Sequence, residues 1–304
     1  MKLHTAMTVS LITTTLLFSC NKTLDDSNYT VDSTNEAAQQ VGDVAASIDE
    51  SGGATSGAIT TNEINSYQKT FARFINKDFS APRALFSIAV PQAQAEACNV
   101  VNFGTCTSGT RTKTFNSCSS NGGGTISGNI ILAYAGTHTN LCNISSASDS
   151  VSRAPNFTIS GLRGATFKVA TVGIGQTLTR VGAGSFTLTN AGIRRTFVTP
   201  KGTTKLDITA STGSAVTITG DARNTRNMNG GIILIKDNLT DVTCTLTPNN
   251  MAWTSSCNCP TSGSMSGTCS DSSTFAVAFN STCGESTVTK SGVDTTVTLD
   301  RCQQ

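Results

Sequence analysis

SFTLTNAGIRRTFVTPKGTTKLDITASTGSAVTITG, residues 185–220, decides the fold class. Short runs rich in Thr, Val and Ile (185–189, 205–209, 215–219) alternate with breaks at Gly192, Pro200-Lys201-Gly202 and Gly213. Val216 and Ile218 alternate with Thr217 and Thr219, which gives a strand one apolar face and one hydroxylated face. The pattern extends outward. Residues 166–172 form a similar run, and further turn signals stand at Gly173, Gly182, Gly220 and Asn229-Gly230. Residues 231–235 are continuously apolar, as in a strand covered on both faces. Short strands separated by turns at intervals of roughly 8–12 residues indicate a mainly β protein. An antiparallel meander or sandwich is expected over 98–304, with a β-solenoid as the alternative. A membrane-spanning barrel would need girdles of aromatic residues, and this region has one Trp and one Tyr.

The N-terminal region has a different texture. A positive residue, Lys2, precedes an apolar stretch from Val9 to Phe18 that ends at Leu17-Phe18-Ser19-Cys20. The stretch is shorter than the roughly 20 residues a spanning helix needs and has the length of a signal-peptide core. Leu17, Ser19 and Cys20 resemble the lipobox of bacterial lipoproteins; Phe18 stands where that family carries a smaller residue. The resemblance implies a signal peptide over 1–19, cleavage before Cys20 and acyl chains (palmitate or similar) on Cys20. Two or more chains anchor stably where one does not. Asn21 resembles the default route to the outer membrane rather than a retention signal. Residues 20–97 are then expected to form a lipidated acidic tether: a solvated leader over 21–32, followed by two short helices. Ser33-Thr34-Asn35-Glu36 has the form of a capping box, and Ala37, Val41, Val44, Ala45 and Ile48 follow at helical spacing. Ser51-Gly52-Gly53 ends that helix. Thr60-Thr61-Asn62-Glu63 repeats the cap ahead of Ile64, Tyr67, Phe71, Phe74 and Ile75.

Ten cysteines remain besides Cys20: Cys98, Cys106, Cys118, Cys142, Cys244, Cys257, Cys259, Cys269, Cys283 and Cys302. An even set in an exported chain reads as structural disulfides. Zinc would want histidine partners or CxxC pairs; after Cys20 the one histidine is His138 and no CxxC occurs. Folding 283–302 as a hairpin with Lys290 opposite Thr295 places Val288 opposite Val297 and Cys283 opposite Cys302, so a Cys283–Cys302 bond is expected. In Cys257-Asn258-Cys259-Pro260 each cysteine is expected to have its own partner, because no base near in sequence lowers a thiol pKa there. The segment from Cys118 to Gly128 also echoes that from Cys257 to Gly267, both reading Cys, five residues, Gly, Ser/Thr, apolar, Ser, Gly.

Charge is divided unevenly. Residues 20–97 carry five Lys/Arg and ten Asp/Glu, and residues 98–304 carry fifteen and nine. A basic domain can face anionic envelope polymers, or this is solubilising surface. Arg194, Arg195, Arg223 and Arg226 read either as an anion patch or as partners of Asp207 and Asp221. No dense basic run marks nucleic-acid binding. No catalytic constellation is signalled: His138 lacks a Gly-x-Ser-x-Gly elbow, and a two-carboxylate site would have to be assembled from scattered residues such as Asp149, Asp207, Asp221 and Glu285. No cofactor is indicated.

Residues 247–253 with Cys257, Cys259, Pro260 and 263–267 are similar to cysteine-rich β-domain lipoproteins of predatory and related bacteria, a resemblance that implies no activity and adds no catalytic residue. The sequence thus leads to a lipid-anchored cell-envelope protein of the outer membrane, structural or binding, that is not an enzyme. Its partners would be the membrane through Cys20, and anionic polymers or another envelope protein. The alternative is a periplasmic carrier or chaperone for lipid or apolar peptide, which needs a large apolar cavity.

Overall fold

The computed structural model describes residues 26, 29–52, 73–74, 103–119, 124–161 and 164–302. Cys20, the lipobox, Cys98 and, except for Arg73 and Phe74, the second expected helix lie outside the described residues.

One α-helix, sixteen strands and short 3-10 turns at Thr139–Leu141, Arg223–Thr225 and Asp300–Cys302 make up the regular structure of the described residues. The helix is α1 (Ser33–Gly52). The strands are β1 (Thr110–Ser119), β2 (Thr125–Ala135), β3 (Ser150–Ser160), β4 (Thr166–Thr171), β5 (Gln176–Gly182), β6 (Ser185–Asn190), β7 (Ile193–Val198) and β8 (Thr204–Ser214). They continue with β9 (Val216–Thr219), β10 (Asn227–Asn229), β11 (Ile232–Asp237), β12 (Val242–Trp253), β13 (Pro260–Cys269), β14 (Thr274–Phe279), β15 (Glu285–Lys290) and β16 (Val293–Thr298).

All pairings between these strands are antiparallel, within one sheet. This is the expected meander and not a solenoid. Eight strands join end to end in four pairs. β4 and β5 run one after the other along β3. The β6–β7, β8–β9 and β10–β11 pairs stack on them in the same way. β12 then pairs with both halves of the last. Each composite strand bends where a glycine or alanine interrupts the ladder. Gly173 and Gly192, which read as turns in sequence, are such mid-strand bends. A Cβ on Gly192 would lie 2.8 Å from the Val172 Cβ across the bend, with φ +153. The result is an up-and-down meander of twelve rungs. β1 and β16, its two ends, pair only with β2 and β15 among the described residues.

The sheet has one buried face. Along β3 the pattern alternates strictly, with Val151, Arg153, Phe157 and Ile159 buried. The inner face curls around α1, which touches β3, β5, β8, β11 and β15 and the C-terminal turn Asp300–Cys302. Residues 38–48 of the helix are buried on every side. Residues 38–48, expected as part of an acidic tether, are therefore packed inside the β unit. The helical periodicity held, but the cap sits one residue earlier: Asp32 Oδ1 accepts the N–H of Thr34 at 2.9 Å and of Asn35 at 3.2 Å. Glu36 does not close a capping box, because its carboxylate takes Arg73 at 2.7 Å.

The disulfides are Cys106–Cys142, Cys244–Cys269, Cys257–Cys283 and Cys259–Cys302; Cys118 is disulfide-bonded as well. The expected Cys283–Cys302 bond is thus corrected. The β15–β16 hairpin turns on two residues, Ser291 (φ 49) and Gly292 (φ 81), both in the left-handed region that two-residue hairpin loops require. Lys290 therefore pairs with Val293 and Val288 with Thr295. The true register differs by two residues from the expected one, so Val288 and Val297 still share the inner face. Cys283 and Cys302 are no longer opposed. They remain neighbours, Cys283 Sγ lying 2.6 Å from the Cys302 carbonyl oxygen, while their bonds run to the two cysteines of the CxC. The Cys118/Cys257 echo survives in the strands, since Ile126 and Met265 both face inward. It does not extend to the disulfides: Cys142 pairs with Cys106, whereas Cys283 pairs with Cys257.

Candidate functional site

Two places hold polar side chains together in a way that packing alone does not explain: the interface between α1 and the inner face, and the mouth of the sheet around the first turn of α1.

The interior interface is ionic. Asp43 on α1 pairs with Arg195 from β7, and Arg301 approaches the same carboxylate at 3.9 Å. Glu36, two turns earlier on the same face of α1, binds Arg73, which also pairs with Asp300. Gln39 donates to the Thr298 carbonyl at 2.8 Å and accepts the Asp300 N–H at 2.9 Å. Ser47 donates to Gln176 Oε1 at 2.7 Å. Burial pushes the Arg195 guanidinium down to about 9, with Glu36 opposing that and Arg301 reinforcing it; the group stays charged at neutral pH. Burial likewise raises the Glu36 carboxyl, against the pull of Arg73. Charges this deep persist only when paired and hydrogen-bonded. The arrangement holds the helix in one rotation and register; among the described residues, neither of the two clefts beside α1 is lined by Glu36, Asp43, Arg195 or Arg301.

The mouth lies at the end of the sheet where the turns at 199–203, 238–241, 270–273 and 291–292 gather. Here the chain enters. Asp26 Oδ1 accepts the Thr199 hydroxyl at 2.7 Å, and its Oδ2 accepts the Thr203 hydroxyl. These hydroxyls, Thr203 first, hold the Asp26 carboxyl below its usual range. Tyr29 packs on Phe197 at 5.8 Å and Phe74 on Phe197 at 4.6 Å. Two clefts flank the first turn of α1. One, of about 380 Å³, lies between Asp32, Thr34 and Asn35 and the inner side of β15–β16 at Val288, Val293 and Val297. The other, of about 190 Å³, is lined by Ile208, Ile235, Val242 and Phe275 beneath Ala37.

Of the two readings of the arginines, the anion patch does not form and the pairing with Asp207 does. Arg194 and Arg195 are consecutive on β7 and point to opposite faces, Arg194 pairing with Asp207 and Arg195 with Asp43. Asp221 pairs with Arg180 at 2.8 Å. Arg223 donates to the Ser255 carbonyl, and Arg226 lies over the buried Trp253 ring. Lys113, Arg153, Arg195, Arg226 and Arg301 are all buried, so much of the basic excess of 98–304 faces inward.

The structure does unite two residues that the sequence mentions only separately. His138 Nδ1 lies 2.7 Å from Asp149 Oδ2, and Asp149 also accepts the N–H of Thr137 at 2.7 Å and of Ser146 at 2.8 Å. These donors, led by the Ser146 amide, bring the Asp149 carboxyl down to about 2. Gly136 makes room: a Cβ there would lie 2.4 Å from Asp149 Oδ1. Among the described residues the His138 side chain is hydrogen-bonded to Asp149 and to no hydroxyl or thiol. The pair ties together the 136–149 loop, which Cys106–Cys142 also staples. The other carboxylates are dispersed, Asp241 to Lys236, Asp271 to Ser273 and Asp294 to Thr289. Among the described residues no group of His, Cys, Asp and Glu is arranged to hold a metal ion.

No protein-family model matches the chain, and no curated protein or solved structure is similar to it.

Proposed function

We propose that this is a lipid-anchored protein of the bacterial cell envelope, probed by its surroundings through a rigid, disulfide-stapled β unit that serves a structural or binding role rather than a catalytic one. The lipobox resemblance at Cys20 supplies the anchor, and the outer membrane is the destination that Asn21 favours. The observation that carries the envelope placement is the set of disulfides, whose bonds persist in oxidising compartments. The charged interior supports a rigid module, because its ionic groups are spent on fixing α1. Ligand contact is left to the turn-bearing ends and the hydroxylated outer face. With Lys113, Arg153, Arg195, Arg226 and Arg301 turned inward, another envelope protein is favoured as partner over an anionic polymer.

The carrier reading has less support. It requires an empty apolar interior, and here α1, Tyr29 and Phe74 fill that space.

The test is acyl labelling in the native host. The wild-type chain should incorporate labelled fatty acid and fractionate with outer membranes, and the Cys20→Ser variant should do neither. Wild-type protein recovered soluble and unlabelled would sink the anchor. Protease treatment of intact cells then separates a surface module, which is digested, from a periplasmic one, which is protected.

A further inference from the structure

We propose that the mouth of the sheet, with the turns at 199–203, 238–241, 270–273 and 291–292, is held against the lipid surface, and that the 136–149 and 182–185 loops at the opposite end project away from it. This rests on acylation of Cys20. The chain is fixed to the mouth from Asp26 onward, by the Thr199 and Thr203 hydroxyls and then by Tyr29 on Phe197. Six residue steps separate Cys20 from Asp26, a span of at most about 20 Å. The composite β8–β9 strand, from Thr204 to Thr219, is roughly 50 Å long at the rise of an extended strand. The leader is therefore no long spacer: once Asp26 is clasped, it is too short to let the far end of the sheet exchange places with the mouth.

The mouth also carries what an interfacial surface needs. Leu239 and Val293 stand at its turn tips, 51% and 68% exposed. Val293 borders the cleft beside the first turn of α1. Lys201, Lys205, Lys236 and Lys290 are interspersed with Asp237, Asp241, Asp271 and Asp294, so the surface is electrically mixed. Tether length, not charge, sets the orientation, which is the same on zwitterionic and anionic bilayers and insensitive to salt. Exposed apolar residues occur elsewhere too, Val172 and Ile174 on the flank and Leu141 and Val181 at the far end, Leu141 at 68% being as exposed as Val293; Ile174 and Val181 serve as internal controls because the tether does not bring them to the membrane.

The experiment uses the full acylated protein, its N-terminal mass measured first, in phosphatidylcholine vesicles containing a headgroup-nitroxide lipid. Single substitutions Leu239→Trp, Val293→Trp, Ile174→Trp and Val181→Trp are compared with the parent, whose Trp253 is buried and gives the baseline. The added emission at 239 and 293 should be largely lost to the quencher, while that at 174 and 181 is retained. A flexible Gly/Ser insertion of about twenty residues before Asp26, adding on the order of 25 Å of reach, should shrink the difference. Acylated protein quenched equally at 181, or preferentially at 174, overturns the orientation and leaves the anchor standing. Absence of acyl mass on Cys20 overturns both.

Discussion

Gly42 of α1 rests directly on Cys302. A Cβ built on Gly42 would lie 3.5 Å from Cys302 Sγ and 3.2 Å from Leu299 Cδ1, so the middle of the helix is seated on the C-terminal disulfide. One methyl group meets the terminal methyl of Leu299 a few tenths of an ångström too closely and gains helix propensity of about 1 kcal/mol; Gly42→Ala is expected to leave stability nearly unchanged. Gly42→Val has nowhere to place its second branch and should cost about 1–3 kcal/mol by overpacking. Urea unfolding of both variants checks this, and a Val variant as stable as the parent would show that the contact is looser than drawn.

The pairing of the CxC with two separate strands has a chemical consequence. Non-reducing digestion should yield peptides joining Cys257 to Cys283 and Cys259 to Cys302, with no Cys283–Cys302 species. The double variant Cys259→Ala/Cys302→Ala opens a loop with a sequence separation of 43, for which chain entropy gives a loss of about 4 kcal/mol. Equilibrium unfolding under oxidising conditions measures it. A loss confined to a few tenths of a kcal/mol would mean that the packing of Gly42 and Leu299 already fixes this corner without the bond.

How much of this was legible follows from the range over which each signal acts. Alternation of Val216 and Ile218 with threonines marks the strands, and the helical spacing of Val41, Val44, Ala45 and Ile48 marks α1, because both depend on near neighbours. The location of α1 was hidden. Glu36, Gln39, Asp43 and Ser47 look like a solvated face, yet they are buried and met by Arg73, Thr298, Arg195 and Gln176 from far along the chain. Register was missed for a similar reason: a two-residue slip at Ser291-Gly292 leaves every side chain on its expected face, so apolar patterning cannot detect it, yet it exchanges the cysteine partners. The bends at Gly173 and Gly192 carry the same residues as true turns and differ only in what lies across from them. His138 and Asp149 are eleven residues apart, and only the folded loop reveals that they meet.

The Asp43–Arg195 pair should behave as a buried charge pair does when one partner is removed. Arg195 is 2% exposed and Asp43 12% at the side chain. Asp43→Ala removes the carboxylate that meets Arg195 and Arg301, leaving the more distant Glu36 as the acidic group of α1 that still acts on Arg195, and should destabilise by about 3–5 kcal/mol. Replacing both partners, Asp43→Leu with Arg195→Met, removes the uncompensated charge and should cost much less than the two single changes added together. A double-mutant cycle from denaturant midpoints decides it; strictly additive losses would mean that the two side chains are not coupled in the folded protein.

Asp149 gives the fold a specific acid sensitivity. Its hydrogen bonds, that from the Ser146 amide first, hold the carboxyl down to about 2 in the folded chain, below its ordinary value of 3.8. A carboxyl whose pKa is depressed by folding contributes stability that is fully present above the unfolded value and is lost as pH falls through the folded one. The contribution should therefore be intact above about pH 4 and gone near pH 2. Asp149→Asn keeps the shape but not the charge, and it turns an amide N–H toward donors that need an acceptor, whether Thr137, Ser146 or His138. The variant should be less stable at neutral pH, and the gap to the parent should close between about pH 4 and pH 2. Thermal midpoints of both proteins across that range test the assignment. A gap that stays constant down to pH 2 would show that the 136–149 loop is held by Cys106–Cys142 and packing, with the Asp149 charge contributing nothing to it.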